Sequence, residues 1–197
     1  QKVVHFEQDG ESKSVRADEI LQALGRQPNT GGLSLEAAGV ELDGRHIGTD
    51  SQQATSAANI FAAGDGAGPH EVVHIAIEQG EAAATNAAIH LGKLDPSKRA
   101  TISYELKLFG VFTEPQVASV GLSEREAKQA GIDCIAADYP FDDHGKSMVL
   151  GETHGFVKLV ADRASGRLIG GAVVGPEAPL VAGVVDALRK NGIDAFG

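Results

Sequence analysis

A chain of 197 residues, 42% hydrophobic and 22% charged, has enough material for one large soluble domain or two small ones. Its 27 acidic residues against 17 basic ones give a formal net charge of -10, and no run of Lys or Arg faces phosphates or anionic lipid, so nucleic acid and membrane are poor partners. The single cysteine, Cys134, excludes an intrachain disulfide or a paired-thiol centre within these residues and favours a reducing cytoplasm.

The chain opens at Gln1-Lys2-Val3-Val4-His5, inside a strand-like segment with no signal-peptide layout, as a piece of something longer would. Lys2 to Phe6 and Ser14 to Ala17 are predicted strands around the turn Gln8-Asp9-Gly10-Glu11. Glu19 to Leu24 is predicted as a further strand, stopped by Gly25-Arg26-Gln27-Pro28-Asn29-Thr30-Gly31-Gly32, the first candidate domain boundary. A short apolar segment, Leu33 to Ala38, ends at Gly39, and a small strand pair follows across Asp43-Gly44. Asn59-Ile60-Phe61-Ala62-Ala63 is a compact predicted strand that breaks into Gly64-Asp65-Gly66-Ala67-Gly68-Pro69. From Glu71 to about Leu91, helical spacing of Val72, Ile75, Ala76, Gln79, Gly80, Ala83, Ala84, Ala87 and Ala88 predicts a long helix with a face of small side chains.

Residues 93–99 form a polar linker and the second boundary. Beyond it come a strand over Val117 to Gly121, a capping box of Ser123 with Glu126 opening a short helix, and a strand over Ile132 to Tyr139. Gly155 to Asp162 and Leu168 to Val174 are predicted to pair across residues 163–167, and an amphipathic helix is expected from about Glu177 to Lys190. This pattern predicts an antiparallel sheet flanked by helices, an α+β unit.

Asp65, at the end of a strand that feeds a helix, has the position at which open α/β folds bind ligands, and its carboxylate suits sugar-type hydroxyls. It could equally stabilise only its own turn. The helix start at residues 71–74 offers free N–H groups and a positive dipole end to an electron-rich group, although every helix start does so. The glycines of residues 64–68 do not have GxGxxG spacing, and that fingerprint is absent from the chain. His70 and His74 are four apart but lack a third ligand at suitable spacing, so no metal is expected. Asp142, Asp143 and His144 combine carboxylates with an imidazole, but a solvated loop accounts for them, and Cys134 suits a small buried apolar position.

In this order, the motifs resemble the pyridine nucleotide-disulfide oxidoreductases, the family of dihydrolipoamide dehydrogenase, glutathione reductase and mercuric reductase. The resemblance rests on Ala23 to Thr30, on Thr55-Ser56 with Asn59 to Asp65, and on Phe112 to Leu122. It continues through Gly151-Glu152, Gly155 to Leu159, Gly166 to Leu168 and Gly175 to Ala178. It implies an α/β FAD/NAD(P)-binding domain remnant followed by an α+β dimerisation domain. The implied division is residues 1–30 as the end of the NAD(P)-binding domain, 31–97 as the C-terminal segment of the FAD-binding domain, and 98–197 as the dimerisation domain. FAD and NAD(P) are the implied cofactors and a homodimer the implied assembly, with a disulfide-type or small-molecule substrate for the parent enzyme.

Carried over by position, Gly64 and Asp65 resemble the flavin ribityl site, Glu71, Val72, Val73 and His74 the helix start facing the flavin pyrimidine edge, and Gly25 a nicotinamide-cofactor contact. The family's N-terminal GxGxxG, cysteine pair, NAD fingerprint and His-Pro motif are not in these residues, and the tail after Ala178 departs from the pattern. The isolated chain is therefore expected to be inactive, with no catalytic residue of its own. Two other readings stay open: an association module whose role is homodimerisation, and a flavin reductase or dehydrogenase of this fold without the cysteine pair.

Overall fold

Three stretches of strand pairing and one long helix organise residues 1–175, the part of the chain described by the computed structural model. β1 (Lys2–Gln8) pairs antiparallel with β2 (Glu11–Ala17), in register from Lys2 opposite Ala17 to Gln8 opposite Glu11. Asp9 and Gly10 turn the chain with φ of 55° and 76°, the doubly positive geometry of a type I′ hairpin turn. The expected strand over Glu19 to Leu24 does not form. Its backbone meets no partner strand among the described residues, and Leu21 and Leu24 stand 94% and 87% exposed. Strand propensity without a ladder leaves the segment without regular structure.

A single 3-10 turn, Glu36–Ala38, closes at Gly39, and the minimal pair β3 (Leu42–Asp43) and β4 (His46–Ile47) follows across the predicted turn. The segment 59–63 is not the strand its composition suggests. It makes one bridge, Ala54 to Phe61, flanked by Thr55 N–H to Ile60 and Ala62 N–H to Gln53, so it folds back on residues 53–55 as a tight loop. Asp65 therefore follows an irregular hairpin and not the edge of a sheet.

α1 (Val73–His90) begins two residues later than periodicity predicts and buries Ile75, Gln79, Ala82 and Asn86, one stripe along its length. Two of these four are amides, each satisfied. Asn86 donates to the carbonyls of Gln52 and Ala100, both at 2.8 Å, and accepts from Ala100 N–H, so the second half of the helix is tied to two loops at once.

The remaining strands form one antiparallel sheet in the order β5-β6-β9-β8-β7. They are β5 (Leu108–Val111), β6 (Gln116–Gly121), β7 (Cys134–Pro140), β8 (Phe156–Asp162) and β9 (Leu168–Gly175). α2 (Glu124–Gln129) starts at the predicted capping box: Ser123 Oγ accepts from Glu126 N–H, and the Glu126 carboxylate accepts from Ser123 N–H at 2.8 Å. Val120, Ala127, Phe141, Val160 and Val173 are the buried apolar residues of this sheet and the segments flanking it among the described residues. β5 and α3 (Gly145–Leu150) were not anticipated, and the predicted helix at 177–190 lies outside the described residues.

Two carboxylates fasten α2 to this sheet. Glu124 bridges Lys128 at 2.7 Å and Lys158 of β8 at 2.9 Å, and Glu126 meets Lys107 at 2.6 Å. Hydrogen bonds from Lys128 and Lys158 hold Glu124 at about 2, and those from Lys107 and Ser123 hold Glu126 at about 2, against an ordinary value of 4.5. A carboxyl lowered on folding contributes stability above its unfolded pKa and loses it as pH falls through the folded one. The window here is from 4.5 down to about 2. Urea midpoints measured across that window should fall more steeply for the wild type than for the Glu124→Gln/Glu126→Gln variant. Equal slopes would mean that the pairs contribute nothing.

Candidate functional site

The loop Gly64–Gly68 is shaped from three sides. Ile47 N–H of β4 donates to Gly66 O at 2.8 Å, and within the loop Ala67 N–H donates to Gly64 O at 2.9 Å. The third support is Gln79 of α1, which is fully buried. Its Oε1 accepts from Gly64 N–H at 2.8 Å, while its Nε2 donates to Gly68 O at 2.6 Å and to Tyr104 Oη at 2.7 Å. Every hydrogen-bonding direction of that amide except one acceptor lone pair is used, which is what burial of an amide demands.

Asp65 leaves this loop with its side chain about half exposed, and Arg26 Nη1 lies 3.4 Å from Oδ2. A single long contact to an exposed guanidinium leaves most of the carboxylate's accepting capacity free. The ion pair also shows why Arg26 belongs to the same motif set as Gly25: it brings residues 25–26 beside the loop. Gly25 has φ of 111°, and the space a Cβ would take is open.

Of the predicted helix-start residues, Val73 and His74 lie in the first turn of α1, Val72 is the extended residue before it, and Glu71 precedes that. The Val72 side chain makes no cap hydrogen bond, and among the described residues the first N–H groups of the helix have no partner, with the dipole behind them. Val73 is 77% exposed. Glu71 Oε1 lies 3.8 Å from His46 Nε2, a buried nitrogen with no hydrogen-bond partner among the described residues. The site thus gathers a half-free carboxylate on a pinned loop, an uncapped helix start and an open glycine.

The other candidates lie apart from it in role. His70 does not pair with His74 on a helix face: it precedes α1 and sits edge-on to Tyr104 at 5.3 Å and Phe109 at 5.4 Å. Burial, and then the charge of Lys107, hold its imidazole below the usual pKa. Among the described residues no group of three His, Cys, Asp or Glu is arranged to hold a metal ion. Asp142 and Asp143 belong to a 3-10 turn in place of the expected open loop. The backbone carbonyl of Asp143 accepts from Tyr139 Oη at 2.7 Å, and His144 Nδ1 meets Ser147 Oγ at 3.0 Å, so the hydrogen bonds of Asp143 and His144 are local. Cys134 is a half-buried free thiol in β7.

Sequence reasoning missed two buried amides that hold loop backbone, those of Gln79 and Asn86, and the close approach of the His46 ring to Gly68. It found Thr55 and Ser56 as a motif but not their work. Thr55 Oγ1 donates to Ile60 O at 2.9 Å, and Ser56 Oγ donates to Gly39 O at 2.9 Å while accepting from Glu41 N–H, so both hydroxyls clamp loop backbone. Among the described residues no helix is long and apolar enough to cross a membrane.

Comparisons with known proteins agree along the chain. The model of the pyridine nucleotide-disulphide oxidoreductases matches residues 1–80, and that of the family's dimerisation domain matches residues 109–195. The dihydrolipoyl dehydrogenase of Bacillus subtilis is 40% identical over 193 residues, covering 98% of this chain and 39% of its own length. That of Geobacillus stearothermophilus is 39% identical over 176 residues, covering 89% of this chain and 36% of its own. Among solved structures, the Cu(II) complex of the HOCl-induced flavoprotein disulfide reductase RclA from Escherichia coli superposes with a TM-score of 0.70 at 26% identity, over 97% of this chain and 42% of that one. LpdA from Mycobacterium tuberculosis superposes with a TM-score of 0.68 at 28% identity, over 93% of this chain and 38% of that one. The chain spans roughly two fifths of the length of these relatives. With both family models matched in order along the chain, the chain belongs to the pyridine nucleotide-disulfide oxidoreductases.

Proposed function

We propose that this chain is the cofactor-loop and dimerisation portion of an FAD-dependent oxidoreductase that moves electrons between NAD(P)(H) and a disulfide-type acceptor. The observation that carries the reading is the pinned loop that presents Asp65 ahead of the uncapped start of α1. A carboxylate with free lone pairs suits the hydroxyls of a ribityl chain, and unmatched helix N–H groups suit the electron-rich edge of a flavin. These residues fit FAD: Gly64 and Asp65 would bind the ribityl chain, and Glu71, Val72, Val73 and His74 would line the ring's pyrimidine side. When bound, FAD supplies two-electron redox chemistry that no side chain here can perform. Gly25, open and beside Arg26, would let a nicotinamide cofactor approach the backbone.

The division into residues 1–30, 31–97 and 98–197, a homodimer built through the last of these, and a cytoplasmic location belong to the same proposal. Exposed Phe112, Met148, Val149 and Leu150 supply apolar surface for the dimer. The free thiol of Cys134 suits a reducing compartment.

The test is reconstitution of the full-length protein with FAD, before and after Asp65→Ala. Loss of a charge-assisted hydrogen bond to a hydroxyl should weaken FAD binding about tenfold or more. Retention of wild-type affinity in Asp65→Ala, or a full-length protein that takes up no flavin, would overturn the reading. Sedimentation of the same sample should give a dimer.

A further inference from the structure

We propose that Gln79 is the positioning residue of the Asp65 loop, and that Tyr104 fixes Gln79 in turn, so that FAD affinity depends on a segment that does not itself touch the cofactor. The proposal rests on the FAD reading above. Gln79 is the fifteenth residue after Gly64, on the buried stripe of α1, where helical spacing favours an apolar side chain. Its amide instead joins both ends of the loop, accepting from Gly64 N–H and donating to Gly68 O, with Asp65 between them. Gly64 has φ of 80°, and its Cβ position lies 3.8 Å from the Ala76 methyl, so the loop lies directly on the first turns of α1.

The two backbone contacts, one from an N–H and one to a carbonyl, fix which end of the amide faces Gly64, because a flipped amide would set donor against donor and oxygen against oxygen. Tyr104 anchors the amide in that orientation. Its hydroxyl takes the second Nε2 proton at 2.7 Å and holds the side chain from a third direction. Tyr104 is held in turn by the His70 ring, which also stands edge-on to Phe109 of β5. The order of support therefore runs from the five-stranded sheet through Tyr104 and Gln79 to the loop that carries Asp65. An apolar residue at 79 of the same length would keep the helix packed but leave Gly64 N–H and Gly68 O without partners and the loop without its shape.

The experiment is a mutant cycle in the full-length protein, reading FAD dissociation constants by flavin fluorescence and the bound flavin's environment by visible circular dichroism. Gln79→Met should weaken FAD binding about tenfold, Tyr104→Phe about threefold, each with an altered flavin signal. If Gln79 acts through Asp65, the Asp65→Ala/Gln79→Met double variant should lose little more than Asp65→Ala alone, and not the roughly hundredfold that independent effects would multiply to. Multiplicative losses, or wild-type affinity in folded Gln79→Met, would overturn the proposal. Should Gln79→Met fail to fold, Tyr104→Phe decides, because it keeps the ring and removes only the hydroxyl: unchanged affinity there refutes the proposal. Loss of affinity in Asp65→Ala without loss in the other two sinks this inference and spares the FAD reading, whereas no loss in Asp65→Ala sinks the reading beneath it.

Discussion

Replacing Phe141 by Ala should lower the unfolding free energy by about 3–5 kcal/mol, and the melting temperature by on the order of 10 °C. Phe141 is 3% exposed and is the largest apolar side chain of the buried set around the five-stranded sheet. Its ring closes the end of that sheet. A Cβ on Gly175 of β9 would lie 2.2 Å from Phe141 Cε2, so the ring occupies the space that a side chain at 175 would need. Its backbone N–H donates to Gly155 O at 3.0 Å, which ties the turn after β7 to the start of β8. Truncation removes the ring but leaves this frame of backbone bonds, so the site cannot collapse and a cavity remains. Thermal unfolding followed by circular dichroism checks the value. A loss under about 1 kcal/mol would show that the ring is not a core element.

The same corner shows what could be read before the structure was known. The pairing of residues 155–162 with 168–174 was legible because alternation and the Ala164-Ser165-Gly166 turn are local signals, and so was the Ser123/Glu126 cap. Phe141 was not, because a single aromatic after a proline has no periodicity, and its burial depends on Gly175, thirty-four positions away. β5 and α3 were missed for a related reason: four residues, Leu108 to Val111, and six, Gly145 to Leu150, are too short for a period to emerge. The segments 19–24 and 59–63 failed in the opposite way. Their composition is strand-like, but a strand is a property of two segments, and their sequences carry no information about a partner.

At the candidate site, glycine and carboxylate were legible as types, but Asp65 emerges after an irregular hairpin and not at the predicted strand end, and the means of holding it there were not legible. Gln79 sits among Ile75, Ala76 and Ala83 in a helical pattern, where its amide registers as one polar interruption of a small-residue face. Its value lies in three hydrogen bonds to residues 11, 15 and 25 positions distant, and long-range pairing of that kind leaves no local trace.

Gly155→Ala should be comparably severe, a loss of about 3 kcal/mol or more, although it adds one methyl and removes nothing. Gly155 has φ of 126°, a conformation costly for any L side chain, by about 1–3 kcal/mol on backbone strain alone. The second penalty is steric. Its Cβ would stand 1.8 Å from Val174 O, a backbone atom of the neighbouring strand that no rotamer change can move. Relief requires opening the end of the β8–β9 ladder, where Phe156 faces Val174. That opening would also draw Gly155 O away from Phe141 N–H, so the two variants attack one structure from opposite sides. Their effects should not add: once either has loosened the corner, the second should cost less than it does alone, by 0.5 kcal/mol or more. Urea unfolding of both single variants and the double one, with amide exchange at Phe156 and Val174, measures this. Additive losses would mean that the Phe141 ring and the Gly155 backbone stabilise the sheet independently, with the shared 3.0 Å bond contributing little.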